Sequence, residues 1–60
     1  MQVQFINTGT QQDLGTKEVD LQSLRIDGYE RPYAIVSNPF ASGDSLRAEF
    51  KGDVWVVDLD

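Results

Sequence analysis

With 60 residues the chain has the length of one small domain, and with neither cysteine nor histidine it offers no disulfide and no thiolate or imidazole metal ligand. Its formal net charge of −5 sets ten carboxylates against five cations, a balance that disfavours duplex nucleic acid, whose phosphates need clustered Lys and Arg. The acidity points toward a basic partner, or toward solubility alone.

A chain this short buries only about 60% of the surface its unfolded form exposes. The core must therefore draw on the six aromatics Phe5, Tyr29, Tyr33, Phe40, Phe50 and Trp55, or be completed by association with itself or another chain. No basic segment followed by an apolar run opens the sequence, and no apolar stretch reaches membrane-spanning length. Met1 followed directly by strand-like sequence reads as an unprocessed, soluble, cytoplasmic product with no membrane contact.

Residues 2–8 alternate, with Val3 and Phe5 on one face, and residues 16–21 alternate with Val19 and Leu21 on one face. The polar stretch 9–15, bracketed by Gly9 and Gly15, reads as the long loop of a first hairpin that sets Phe5 near Val19 and Val3 near Leu21. Asp27-Gly28 is a type I′ turn signal, which would place Ile26 opposite Tyr29 and Arg25 opposite Glu30. Pro32 cannot donate to a ladder, so a strand begins there or lies at an edge. Residues 33–37, Tyr-Ala-Ile-Val-Ser, suit a strand covered on both faces. Residues 38–44 are a loop by the signals Asn38-Pro39 and Ser42-Gly43.

The last sixteen residues form the clearest element, a hairpin turning at Gly52-Asp53 as a type II′ turn. Its register pairs Lys51 with Val54, Phe50 with Trp55, Ala48 with Val57 and Leu46 with Leu59, and sets Arg47 across from Asp58. Five to six short strands predict an all-β fold, a small antiparallel barrel or sandwich forming a single domain over 1–60 and ending in this hairpin. The alternative is an α+β fold with one short helix near 42–51, capped by Asp44 or Ser42.

Chemistry lacks its parts. No histidine can serve a serine as base, no cysteine can attack, and the glycines are isolated turn residues rather than a phosphate cradle. Asp58 and Asp60 share a strand face but read as solvated charges, so the sequence predicts no enzyme, no cofactor and no metal. Asn38-Pro39-Phe40 matches the tripeptide that endocytic adaptor domains recognise, but three residues are a weak motif, and it reads first as a turn initiated by Asn-Pro that folds Phe40 back on the core. A second face of the final strand, Val54 and Val56, is apolar where a half-buried sheet should be polar. The expectation is a non-enzymatic interaction module, of inhibitor or adaptor type, binding another protein through a sheet face or edge. Val54, Val56, Glu49, Asp58, Arg47 and Phe40 are its candidate contact residues. The alternatives are a single-strand nucleic-acid barrel using Tyr29, Tyr33 and Phe40 with Arg25 and Arg31, or a homo-oligomeric structural subunit.

Overall fold

A computed structural model describes every residue except 27. Six strands follow in chain order: β1 (Gln2–Asn7), β2 (Gln12–Glu18), β3 (Leu21–Ile26), β4 (Pro32–Ser37), β5 (Ser45–Lys51) and β6 (Val54–Asp58). They form one sheet in the order β2-β1-β6-β5-β4-β3. Every neighbouring pair is antiparallel except β1 and β6, which run parallel. The fold is all-β, and there is no helix among the described residues. Residues 45–51 are strand because their burial alternates with period two: Leu46 and Ala48 point inward, Arg47 and Glu49 outward.

The strand order forces the sheet to curl. β2 and β3 are its two edges, yet only Val19 and Asp20 separate them in the chain. In a flat sheet of six strands the edges would lie about 24 Å apart, whereas two linking residues span roughly 11 Å. The link is fixed at both positions, since the Val19 amide donates to the Met1 carbonyl at 2.8 Å and the Ser37 amide donates to the Asp20 carbonyl at 3.0 Å. The sheet wraps toward a barrel but does not close into one, because β2 and β3 share no ladder. The core lies inside the curl: Val3, Phe5, Val19, Ala34, Val36, Ala48 and Val57, with Met1, Leu46, Trp55 and Leu59 packed against them.

Three local expectations are corrected. The first hairpin is not long-looped: β2 begins at Gln12, and Asn7 pairs with Gln12 across residues 8–11. Phe5 meets Gly15 and Val3 meets Lys17 rather than Val19 and Leu21. Gly15 is a strand residue at a bulge, where Leu14 is the extra residue and φ is +81°, a use of glycine inside a strand rather than at its end. In the second hairpin Ile26 pairs with Pro32 and Arg25 with Tyr33, so the ladder closes five residues wide rather than two. The predicted turn at Asp27-Gly28 involves a position outside the described residues. On β4, Ala34 and Val36 are fully buried while Tyr33 and Ile35 on the other face are partly covered, so the core lies on one face and the other is shielded less completely.

The final hairpin turns where expected. Lys51 pairs with Val54, Phe50 with Trp55 and Glu49 with Val56. Gly52 takes φ +69° and Asp53 is not among the positive-φ residues, as a type II′ turn requires. The ladder then ends, so the predicted Ala48–Val57, Leu46–Leu59 and Arg47–Asp58 positions are not paired. Past this point β6 follows β1, with Val57 beside Phe5 and the Leu59 amide donating to the Ile6 carbonyl at 2.8 Å, while β5 follows β4.

Candidate protein-docking edge

The two sheet edges differ in kind. β2 carries Asp13, Lys17 and Glu18, charges that discourage a further strand from adding, while a bulge interrupts both edges, at Leu14 in β2 and at Gln22 in β3. β3 presents aliphatic side chains instead. Leu21 is 50% exposed, Leu24 62% and Ile26 71%. Register puts all three on the side of the sheet that holds the core, because their ladder partners are Val36, Ala34 and Pro32. Leu21 and Leu24 are three apart, and they share a face because Gln22 is the extra residue of a bulge. The Gln22 amide donates to Ser37 Oγ at 3.1 Å and accepts from Ser45 Oγ at 2.7 Å, which anchors that bulge.

Leu24 lies beside Ala34, and Ala34 beside Ala48. Two methyl groups give Leu24 little to lean on, and no strand covers it from beyond the edge. At the other end of the strand Ile26 sits beside Pro32, and Pro32 shares a depression of about 320 Å³ with Phe50, Arg31, Arg47, Glu49 and Lys51. Phe50 is 45% exposed and its ring packs on Trp55 at 5.0 Å. The exposed apolar surface therefore runs along β3 and turns into this depression.

The opposite face of β3–β5 carries charge. Arg25 pairs across the ladder with Tyr33, and its Nε donates to Ser23 Oγ at 3.0 Å. The Arg47 guanidinium lies 4.0 Å from the centre of the Tyr33 ring, and its Nε is 3.4 Å from Glu49 Oε1. Tyr29 is exposed in the β3–β4 loop, and Phe40 lies on the core side, edge-on to Phe5 at 5.3 Å. The three aromatics considered for single strands thus do not share one platform.

The residues singled out from sequence divide into three places. Arg47, Glu49, Val56 and Asp58 surround one shallow depression of about 310 Å³ together with Lys51. Val56 is only 9% exposed, between Gln4 on β1 and Glu49 on β5. Val54 is 42% exposed and lines a separate depression with Gln2, Gln4 and Trp55. Phe40 stands apart, its amide donating to Asn38 Oδ1 at 2.8 Å and Lys17 Nζ lying 5.4 Å from its ring centre. That turn is what the Asn-Pro pair builds here.

Asp58 is tied to the β1–β2 turn rather than to Arg47 across a ladder. The Asp60 amide donates to Asp58 Oδ1 at 3.0 Å, Thr8 Oγ1 donates to Oδ2 at 2.8 Å, and the Thr8 amide donates to Oδ1 at 3.2 Å. These donors, first the Asp60 amide and then Thr8, hold the Asp58 carboxyl below its ordinary pKa, with Lys51 adding attraction. Among the described residues no group of three or more acidic side chains is placed to hold a metal ion. No helix there is long and apolar enough to cross a membrane.

Sequence reasoning missed Leu21, Leu24, Ile26 and Phe50 as surface residues. Their apolar character alone reads as core, and only the strand order reveals that β3 is an edge. Comparison with protein-family models, with curated proteins and with solved structures gives no match.

Proposed function

We propose that this protein is a non-enzymatic interaction module, of inhibitor or adaptor type, that docks an extended segment of another protein along β3. One observation carries the reading: of the two edges, both of which hold a bulge, β2 carries Asp13, Lys17 and Glu18, while β3 exposes Leu21, Leu24 and Ile26 in a row. A strand added there would gain main-chain hydrogen bonds from the edge and bury its alternate side chains on the aliphatic row. The aliphatic row also suits a domain too small to bury all its apolar side chains alone.

The test uses the chain immobilised as wild type and as the Leu24→Asp and Ile26→Asp variants, both at exposed positions. The expected result is a protein retained by the wild type and lost from both variants, whose complex slows amide exchange along residues 21–26. Equal retention by folded variants, or unchanged exchange along β3, overturns the reading.

A further inference from the structure

We infer that, when no other segment occupies it, β3 pairs with β3 of a second copy of this chain, antiparallel about a two-fold axis through Leu24. This goes beyond the docking reading at the same edge, since a second copy there is the competitor that a partner segment must displace. The Ser37 amide donates to the Asp20 carbonyl, and the Asn38 amide donates to the Asp44 carbonyl on the other side of β4. Successive residues of a strand turn these groups to opposite sides, so Tyr33, Ile35 and Ser37 bond to β3 while Ala34 and Val36 bond to β5. Arg25 and Ser23 pair with Tyr33 and Ile35 and spend their main-chain groups inside the sheet. Leu24 pairs with Ala34, so its amide and carbonyl point out of the edge. A two-fold axis through Leu24 aims both groups at their own counterparts, which closes a reciprocal pair of hydrogen bonds.

The side chains select this axis. With Gln22 set aside as the extra residue of the bulge, β3 reads Leu21, Ser23, Leu24, Arg25, Ile26, and alternate members face the core side. That order is symmetric about Leu24. Leu24 meets Leu24 of the second copy, Ile26 meets Leu21, and Arg25 meets Ser23, a hydroxyl that its Nε already reaches within its own chain at 3.0 Å. The three side chains covered in this way are each at least half exposed in the single chain. Moving the axis to Arg25 sets like charges directly opposite each other. Moving it to Ser23 brings Arg25 to Asp20 but drives Ile26 onto Val19, whose amide and carbonyl are both bonded to Met1. The β2 edge is no substitute, because it carries Asp13, Lys17 and Glu18, and a β3-to-β2 contact would be head-to-tail rather than closed.

The experiment sediments the wild-type chain from about 1 μM to about 1 mM, the range in which a contact this small associates, and adds disulfide trapping in a sequence with no cysteine of its own. The mass should rise from one chain to two, while Leu24→Asp and Ile26→Asp remain single chains. Each copy carries a net charge of −5, so salt should tighten the dimer by screening their repulsion. Ser23 and Arg25 of opposite copies form a non-hydrogen-bonded pair about 4.5 Å apart, within reach of a disulfide, whereas Ser23 lies roughly 8 Å from its own counterpart. Mixed Ser23→Cys and Arg25→Cys chains should therefore bridge about tenfold faster than either alone. Should a cysteine variant not fold, amide exchange on the wild type decides the matter: Leu24 should slow with concentration well before Arg25, which is already bonded to β4. A labelled peptide of residues 20–26 should bind the wild type and neither aspartate variant, and one that binds the wild type no better overturns the inference. So does a dimer that both aspartate variants keep, one that salt loosens, or Ser23→Cys chains that bridge alone as fast as the mixture. A single chain at every concentration also overturns it and leaves the docking reading standing. Aspartate variants that become single chains yet retain the wild type's protein partners overturn the docking reading alone.

Discussion

Replacing Ile26 with alanine should cost little stability, and replacing Val36 with alanine should cost a great deal, although both lie on the core side of neighbouring strands. Ile26 is 71% exposed and Val36 is fully buried. Complete burial of such a side chain is worth about 1.5–3 kcal/mol. Ile26 has less than a third of its surface covered, so Ile26→Ala should cost only about 0.5–0.9 kcal/mol by the same scale. Val36→Ala deletes two buried methyl groups and leaves a cavity, for about 2–3 kcal/mol. Against a total stability of roughly 3–9 kcal/mol for a domain of this size, the second change is severe and the first is not. Urea unfolding followed by Trp55 fluorescence measures both. In heat, at about 4–8 °C per kcal/mol, the Ile26 variant should melt only a few degrees lower and the Val36 variant ten degrees lower or more. Equal losses at the two positions, independent of protein concentration, would show that Ile26 is packed inside the chain. An Ile26 loss that grows with concentration would show the row already covered by a second copy.

Two further outcomes follow from the backbone and from one carboxylate. Gly52 has φ +69° and open space around a Cβ, so Gly52→Ala should cost about 1–2 kcal/mol from conformation alone. A D-alanine placed there by chemical synthesis should be neutral or stabilising, and equal losses for both enantiomers in urea unfolding would refute the turn. For Asp58, the amide of Asp60 and the two donors of Thr8 lower the folded pKa below the unfolded value. The stabilisation is therefore present above the ordinary aspartate pKa and is lost as pH falls through the lower folded pKa. Carbon-detected titration should find the Asp58 carboxyl below the ordinary aspartate range, and Asp58→Asn should flatten the acid limb of the stability profile. An ordinary midpoint for Asp58 would refute the Thr8 and Asp60 contacts.

The final hairpin was legible because local chemistry and pattern agree there. Gly52 permits the turn, and alternation sets Phe50 against Trp55, as the ladder has it. The first hairpin was obscured by the same kind of signal. Gly9 and Gly15 looked like the ends of a loop, but the left-handed position near the turn is filled by Gln11 at φ 57°, and Gly15 serves a bulge inside β2. Propensity assigns glycine to turns without saying whether a strand may use the same freedom. At the second hairpin Pro32 did mark a strand start, as its missing amide suggests. The candidate contact at Val56 was sound as pattern, because the strand is apolar on both faces. What pattern does not contain is the strand order that sets Val56 inside the sheet, between Gln4 and Glu49 and only 9% exposed. β3 as an edge was out of reach for a different reason. It depends on the parallel union of β1 with β6, residues separated by nearly the whole chain, and nothing local announces such a pairing.

That union also explains why the docking row exists. Joining the first strand to the last places β2 and β3 at opposite edges, and the two-residue link then bends the sheet until they approach. A tight curl favours small side chains on its inner face, and Ala34 and Ala48, both fully buried, are cross-strand partners on β4 and β5. The larger residues Phe5, Val3 and Val57 fill the space on the β1–β6 side. A closing strand between β2 and β3 would have covered Leu24 and Ile26, and none of the strands among the described residues takes that place. The short alanines that let the sheet curl are thus the neighbours that leave Leu24 standing out. Enlarging one of them tests the connection. Ala34→Val should strain the packed curl by about 1–3 kcal/mol, as added methyl groups in a full core do, and it should raise the shelf under Leu24. If docking along β3 depends on that shelf, peptide affinity should change in Ala34→Val even though the side chain touches the partner only through Leu24. A variant that loses stability while binding peptides as the wild type does would separate the curl from the docking row.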